Sequence, residues 1–440
     1  MSNWLPERLA KKLGNPHQRE MLLGSAVALL VKVIAAAAAF LMNLVVARSL
    51  GASEAGLFFF GFTLITLLAA IARMGLDNSL VRFVAAEHSQ QNSAAVHGVY
   101  RTGVIWVAGL SVVVMGLLLL LNGPLNHWVF SLAGFDQVLW IMAFALPLVA
   151  LYTLHAQALQ GLKRIAPAML TLNVLVPLGV LVVLLLTPVH TAKQVAWVYV
   201  LACGSSLLFG WLSWRRSVPA TPDKPVFDSR VLLASCLPLW GVMLFSQMVQ
   251  WSSQLMLGVW GTTTEVALFA SAQRTAMLTS FVLVAVNAIA APRFAAMHRQ
   301  GDMQGLRRTA LLSVRLMLLA ALPIVLFMLL FPEWLMGLFG PEFIDAAPAL
   351  VILVVGQFVN IATGSVGFLL SMTGHERQLR LNVFIGATLG VGLGLLLIPA
   401  HGLLGGAIAT AVAVASQNLL GVYQVNKLLG FNTLAIWRRI

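Results

Sequence analysis

The sequence predicts an all-helical polytopic membrane protein, with twelve transmembrane helices in two parallel six-helix repeats around a central cleft. Of 440 residues, 60% are hydrophobic and only 9% are charged, whereas a soluble domain carries about 25% charged residues. The apolar residues form long continuous runs, unlike the alternating pattern of a membrane β-barrel. The chain also matches itself at a constant offset. These observations exclude an ordinary soluble enzyme.

Each apolar run is long enough to be one transmembrane helix. A helix crossing a hydrocarbon core of about 30 Å needs roughly 20 residues. Gly and Pro interrupt the chain between runs, and the first run is too long for a cleavable signal peptide, so we expect it to remain as a span. The predicted spans are 22–47, 54–76, 97–121, 137–160, 166–187, 193–214, 231–258, 264–290, 308–330, 346–371, 379–398 and 402–426.

The basic residues predict the orientation of these spans. Of the 27 Lys and Arg residues, 22 fall in the loops of one side and only Arg48 and Lys193 in those of the other. Cytoplasmic loops carry the excess of Lys and Arg, so both termini are predicted to be cytoplasmic. Most of the net charge of +13 therefore reflects topology, and no nucleic-acid partner is expected.

An internal duplication predicts two halves. At an offset of 211 positions, residues 184–190 fall on 395–401, and Arg82-Phe83 falls on Arg293-Phe294. An even number of spans per half relates the halves by an axis along the membrane normal, with a cavity between them. The predicted domains are an N-terminal six-helix bundle (1–214), a proline-rich cytoplasmic linker (215–229) and a C-terminal six-helix bundle (230–440). This organisation is typical of a transporter.

Three cations lie outside the loops, namely Lys32, Arg274 and Arg315. Lys32 and Arg274 fall near the middle of their spans, one in each half, where a charge should face a polar or water-filled interior. No Asp or Glu occupies the middle of a predicted span. Pairing with backbone carbonyls or hydroxyls is one interpretation. The functional interpretation is that all three bind a diphosphate group, for which guanidinium and ammonium groups are suited.

Polar residues at helical spacing suggest cavity walls in both halves. A stripe on the first span reaches Asn43, and another follows the seventh span through Gln247, Gln250, Trp251 and Gln254. Amides beside an indole suit sugar hydroxyls and sugar faces, but they equally suit hydrogen bonds between helices. Four more amides are interpreted as helix-packing contacts: Asn287, Gln357, Asn360 and Gln417.

Loop residues complete the predicted site. Arg82 and Arg293 are expected at the cytoplasmic mouth of the cleft, where both also serve as topology anchors. Asp77 ends the second span and is predicted to be a mouth or cap residue. Cys203 and Cys236 lie in apolar runs and form neither a disulfide framework nor a metal cluster, so no cofactor or metal is predicted.

Two stretches, residues 47–58 and 75–83, resemble the first-hairpin signature of bacterial polysaccharide transport proteins. These are the O-antigen-type flippases of the multidrug/oligosaccharidyl-lipid/polysaccharide exporter superfamily. Ala272-Gln273-Arg274 resembles the corresponding pattern of the second half. The resemblance implies a cationic lumen between the halves, matching Lys32 and Arg274.

The resemblance also implies a function and a location. An undecaprenyl-diphosphate-linked oligosaccharide would cross the bacterial inner membrane, from the cytoplasmic to the outer leaflet, by alternating access. Membrane lipids would be partners, together with a polysaccharide polymerase and its chain-length machinery. The protein would be a transporter and not an enzyme.

Three alternatives stay open. A cation-coupled multidrug exporter of the same superfamily needs a membrane-embedded carboxylate, and none lies at the middle of a predicted span. A peptidoglycan-precursor flippase usually has fourteen spans. An integral membrane polymerase or ligase typically has a large outer loop, whereas the longest predicted outer loops, 122–136 and 331–346, are short.

Overall fold

The computed structural model describes residues 16–218 and 227–435, and for residues 16–30, 238 and 239 it describes the backbone alone. Within these ranges the chain forms helices joined by short turns, without a strand. Nine helices are long and apolar enough to cross a membrane, and the bent pair Phe135–Ala143 and Ala145–Gly161 provides a tenth crossing. The predicted all-helical membrane fold is confirmed.

Two of these nine helices each contain two spans. The helices Pro16–Ala72 and Glu376–Leu429 are interrupted by Gly51 (φ 73°) and Gly402 (φ 48°). Uninterrupted, each would be about 80 Å long or more, far more than a hydrocarbon core of about 30 Å. The chain therefore folds back at both glycines, and the described residues contain the twelve predicted spans.

The first six spans, the N-terminal half, follow in chain order. Span 1 is 16–50, and span 2 is 52–72 with its continuation Leu76–Ser89. Span 3 is Ser93–Phe130, and span 4 is Phe135–Ala143 with Ala145–Gly161. Span 5 is Ile165–Leu186, with a π-helical turn at Leu170–Val174, and span 6 is Ala192–Ser217.

The second six spans, the C-terminal half, have the same order. Span 7 is Ser229–Trp260, span 8 is Thr263–Met277 with Ser280–Arg299, and span 9 is Met303–Leu330. A short helix, Pro332–Gly337, and a 3-10 turn, Pro341–Ala346, lead into span 10, which is Ala347–Thr363 with Val366–Met372. Span 11 is 376–401 and span 12 is 403–429.

Helix boundaries recur at the offset found in the sequence. Span 4 ends at Gly161 and span 10 at Met372, and span 5 begins at Ile165 and span 11 at Glu376. Both pairs are 211 positions apart. We therefore call a residue of the N-terminal half and the residue 211 positions later equivalent. The linker lies mostly at residues 219–226, outside the described residues, and the domain limits stay a prediction.

The two membrane faces differ in their turns. One face, called the Gly51 face, contains the chain reversals at Gly51, Gly261 and Gly402. The other, called the basic face, contains the turns at 90–92, 162–164, 300–302 and 373–375. The positive-inside rule predicts that the basic face is cytoplasmic.

At the Gly51 face the two halves are packed together. A Cβ on Gly56 would lie 1.9 Å from the carbonyl oxygen of Thr263, so only glycine permits this approach of spans 2 and 8. Nearby, Glu342 Oε2 accepts a hydrogen bond of 3.0 Å from the Ala52 backbone N–H, which caps the start of span 2 from the other half. This face is closed.

At the basic face the halves touch along spans 2 and 7. Ser79 Oγ lies 3.0 Å from Ser235 Oγ, and Arg82 Nη2 donates a hydrogen bond of 2.7 Å to the same oxygen. Arg82 is exposed, so water can compete for its bond to Ser235, and such a hydrogen bond contributes little net free energy.

Candidate functional site

Arg274 on span 8 extends into the N-terminal half. Its guanidinium carbon lies 4.3 Å from the ring centroid of Phe59 and 5.1 Å from that of Phe62, both on span 2. This cation–π geometry partly compensates for the loss of water around the charge. Nη1 and Nη2 are nevertheless buried and make no hydrogen bond to any described residue. No described carboxylate forms a salt bridge with this guanidinium.

Aromatic and amide groups surround this arginine. Gln254 Nε2 donates a hydrogen bond of 3.2 Å to the Phe59 carbonyl oxygen, while its Oε1 is buried without a described partner. Tyr199 packs edge-on against Phe62, with the ring centroids 5.5 Å apart. Gln254, a predicted sugar contact, therefore lies in the contact between the halves in this conformation.

Lys32 lies deeper towards the basic face than Arg274. Spans 1 and 8 both begin or end at the Gly51 face, at residues 50 and 263. At about 1.5 Å per residue, Lys32 is about 27 Å and Arg274 about 17 Å from that face along their helices. The Lys32 side chain is half-buried. The two predicted diphosphate ligands thus lie at different depths, one in each half.

The other predicted site residues within the spans have mixed surroundings. Asn43 is buried, and its Nδ2 donates a hydrogen bond of 2.6 Å to the Ala39 carbonyl oxygen of its own helix. Three residues predicted to contact substrate are half-buried: Gln247, Trp251 and Arg315. Gln250 lines a cavity in the C-terminal half, and its Nε2 lies 2.8 Å from Met277 Sδ.

The predicted mouth residues differ from one another. Asp77 is buried and accepts a hydrogen bond of 2.8 Å from Arg73 Nε, which makes a salt bridge between the two residues. Arg82 is exposed at the basic face and contacts Ser235 and the ring of Phe83. Arg293 is exposed near the basic end of span 8. The arginines are available to solvent, whereas Asp77 stabilises the bend in span 2.

A cavity of about 390 Å³ lies among spans 7, 8, 10, 11 and 12 of the C-terminal half. Eight neutral polar side chains line it: Ser246, Gln250, Ser280, Gln357, Asn360, Asn382, Gln417 and Asn418. No charged residue is among the described side chains of its wall. We call this space the amide cavity.

Three amides of this wall, Gln357, Asn360 and Gln417, were interpreted from the sequence as packing contacts, but they face the amide cavity. Two residues of that group also pair across helices: Asn287 Oδ1 accepts a hydrogen bond from Ser365 Oγ, and Gln357 Oε1 accepts one from Ser280 Oγ. A signal was present in the sequence. The residues equivalent to Gln357 and Asn360 are Leu146 and Val149. Helix packing alone does not require amides at positions where the other half has apolar residues.

The fold and the paired halves define a class of protein: membrane proteins with the fold of the MOP superfamily transporters. Two solved structures share the fold over 92% of this chain. One is an inward-facing multidrug resistance MATE family transporter of that superfamily (17% identity, 98% of that chain, TM-score 0.75), and the other is lipid II flippase MurJ in an inward closed conformation (11% identity, 87% of that chain, TM-score 0.72). The predicted superfamily resemblance is confirmed.

Within this class the chain belongs to the polysaccharide biosynthesis protein family, whose model matches residues 21–298. The MatE family model matches residues 238–395. An uncharacterised membrane protein of Methanocaldococcus jannaschii is 24% identical over 421 residues, covering 90% of this chain and 82% of that protein. A further structure with the same fold is a MOP superfamily transporter from Pyrococcus furiosus (17% identity, 92% of this chain, 95% of that chain, TM-score 0.65), described by a binding pocket of reverse polarity.

Proposed function

We propose that this protein is a flippase that moves an undecaprenyl-diphosphate-linked oligosaccharide from the cytoplasmic to the outer leaflet of the bacterial inner membrane. The observation that carries the proposal is Arg274, whose buried Nη atoms lack any described hydrogen-bond acceptor at the contact between the halves. A diphosphate oxygen is the acceptor that a guanidinium binds best, often through two parallel hydrogen bonds. The substrate is therefore an anion held by the protein's own cations.

The different depths of Lys32 and Arg274 give the order in which the diphosphate meets them. The diphosphate enters from the basic face, past Arg82 and Arg293, and reaches Lys32 about 10 Å before Arg274. Arg315 on span 9 is a further diphosphate contact. Opening the Gly51 face separates spans 2 and 8, so that Arg274 leaves the rings of Phe59 and Phe62. Phosphate oxygens replace that aromatic contact, which is how substrate favours the outward-open state.

Two comparisons support a lipid-linked substrate. The family of the chain is that of polysaccharide biosynthesis proteins, and one protein of the same fold is a lipid II flippase. In the proposed orientation the basic face is cytoplasmic and both termini lie there. Membrane lipids surround the spans, and a polysaccharide polymerase with its chain-length machinery receives the product. Transport of this kind needs no catalytic residue and no cofactor.

The test uses purified protein in proteoliposomes with undecaprenyl diphosphate bearing N-acetylglucosamine as the probe. Arg274→Ala is expected to reduce flipping at least about tenfold, because a hydrogen-bonded charge pair is worth about 1.5–3 kcal/mol. Arg274→Lys keeps the charge and should retain part of the rate. Arg299→Ala removes an exposed arginine from the same span and is the matched control. Equal flipping by wild type and Arg274→Ala would contradict the proposal.

A cation-coupled multidrug exporter is the second candidate, favoured by the MatE match to residues 238–395 and the fold of the MATE transporter. Such coupling uses a membrane-embedded carboxylate that is free to bind a cation. Among the described carboxylates Asp77 alone is buried, and Arg73 already neutralises it. Efflux of a cationic dye from proteoliposomes, driven by a proton or sodium gradient, would favour this candidate over the flippase.

A further inference from the structure

The amide cavity has the chemistry of a carbohydrate site. An amide side chain offers two donor hydrogens and an acceptor oxygen, which matches sugar hydroxyls that donate and accept in turn. Asn382 is 2% exposed, and its Oδ1 is a buried acceptor without a described partner. Such an orphaned acceptor costs free energy unless a ligand or water donates to it. A ligand with a neutral hydrogen-bond donor would satisfy this acceptor.

Part of the wall is already oriented by internal hydrogen bonds. Gln357 Oε1 accepts hydrogen bonds from Ser280 Oγ at 2.9 Å and from Asn360 Nδ2 at 3.2 Å. These bonds restrict the rotation of both amide groups. A preorganised set of polar groups loses less entropy when it binds a ligand. The rest of the wall is apolar and includes Val249 and Val414. These side chains suit the C–H faces of a sugar ring.

The equivalent layer of the N-terminal half shows that the fold does not need this polarity. Gln357, Asn360 and Gln417 are replaced there by Leu146, Val149 and Ser206, all three buried. Ser206 Oγ donates a hydrogen bond of 2.7 Å to the Thr171 carbonyl oxygen and is satisfied within the protein. At this layer the three described N-terminal side chains are buried and carry no amide, whereas their C-terminal equivalents line the amide cavity.

One hydrogen bond connects the wall of the amide cavity to the residue that precedes Arg274. Gln273 Nε2 donates a hydrogen bond of 2.6 Å to the backbone oxygen of Gln250, and Gln250 lines the cavity. Gln273 directly precedes Arg274 in span 8. A ligand that places its phosphates on Arg274 can therefore direct its next group towards the cavity.

We propose that the amide cavity binds a neutral sugar residue of the lipid-linked substrate, while the cations bind its diphosphate. This assignment rests on the proposed flippase function and adds a division of labour between the halves. A cavity of about 390 Å³ is within the range of about 300–1,000 Å³ usual for small-molecule sites. Negatively charged sugars are disfavoured, because no described cation lines the wall to compensate for their desolvation.

The test compares two probes on full-length protein in nanodiscs: undecaprenyl diphosphate with and without a single N-acetylglucosamine. Wild type is expected to bind the sugar-bearing lipid more tightly. Gln357→Leu with Asn360→Val installs the residues of the N-terminal half. It should weaken binding of the sugar-bearing lipid about tenfold, the value of a few lost hydrogen bonds, and leave binding of the sugar-free lipid within about twofold.

Two further variants keep the result interpretable. Gln417→Ser, also the equivalent residue, changes one amide in case the double variant fails to fold, which size-exclusion chromatography reports. Asn173→Val replaces a half-buried asparagine of span 5 and should leave both affinities unchanged. Equal affinity of wild type for the two probes, or a sugar preference kept by the folded variants, overturns the assignment. Binding of neither probe by wild type overturns the flippase function itself.

Discussion

The two halves of the molecule differ in their interior at the level of the amide cavity. In the N-terminal half, Thr171 and Ser206 are fully buried and joined by a hydrogen bond to the Thr171 carbonyl oxygen, and the Gly210 backbone packs against Thr171 and His155. The equivalent residues of the C-terminal half are Asn382, Gln417, Gly421 and Val366, and all four line the amide cavity.

This difference separates what the fold requires from what the site requires. Helix boundaries, chain reversals and small residues at close helix contacts recur in both halves, so they belong to the architecture. Among the described residues, an amide-lined wall occurs at this layer in the C-terminal half only, so the architecture does not require it. The buried ion pair of Arg73 with Asp77 and the buried His155 lie in the N-terminal half.

The largest effect is expected from breaking the ion pair of the N-terminal half. Arg73 and Asp77 are both buried and 2.8 Å apart, whereas the equivalent residues are Val284 and Ala288. Asp77→Ala leaves a buried guanidinium without its partner, which costs about 3–5 kcal/mol. The melting temperature of the purified protein should therefore fall steeply.

The control introduces the equivalent residues of the C-terminal half into the N-terminal half. Arg73→Val combined with Asp77→Ala removes both charges and should restore most of the lost stability, because an apolar pair often replaces a buried ion pair without a net cost. If the double variant melts as low as Asp77→Ala, then packing at the bend, and not the unpaired charge, explains the loss.

A reciprocal exchange at one layer should have unequal effects. Ser206→Gln places a longer amide in a fully buried position and should destabilise the protein by about 1–3 kcal/mol through overpacking. Gln417→Ser removes atoms from the wall of an existing cavity and should cost less than about 1 kcal/mol. The two melting temperatures, measured in one detergent, give the comparison. Equal shifts would mean that the two interiors are packed alike.

Most of the fold was predictable because it depends on simple physical quantities. Span length follows from bilayer thickness, and the turns follow from Gly and Pro, including the reversal at Gly51. The 211-residue offset predicted two halves, and helix boundaries such as Gly161 and Met372 recur at that offset. The charge of Arg274 within an apolar run is by itself enough to predict a polar or functional environment.

Side-chain surroundings were less predictable. Helical periodicity gives the face of a residue but not the neighbour on that face, so Gln254 and Gln250 had the same interpretation. In the structure Gln254 binds the backbone of Phe59 in the other half, and Gln250 lines the amide cavity. The aromatic contact of Arg274 with Phe59 and Phe62 also required the packing of spans 2 and 8, which no local pattern encodes.

The smallest expected effect concerns a hydrogen bond that the C-terminal half lacks. His155 Nδ1 lies 2.7 Å from the Leu151 carbonyl oxygen, which only accepts, so in the neutral ring Nε2 accepts from the Tyr100 hydroxyl at 2.8 Å. Tyr100→Phe removes this donor and should cost about 1 kcal/mol. The ring stacking of Tyr100 on Trp214, with centroids 4.1 Å apart, is kept by Phe, so the change isolates the hydroxyl.

The equivalents of Tyr100 and His155 are Leu311 and Val366, so this variant measures how much a polar pair adds to a closed interior. Tyr423→Phe is the matched control, because Tyr423 is 63% exposed and loss of its hydroxyl should leave the melting temperature unchanged. A decrease of one to a few degrees for Tyr100→Phe alone would assign the hydroxyl a stabilising role. An unchanged melting temperature would show that packing, and not this hydrogen bond, stabilises the N-terminal half at this layer. In that case folding would be an even weaker explanation for the polar wall of the C-terminal half.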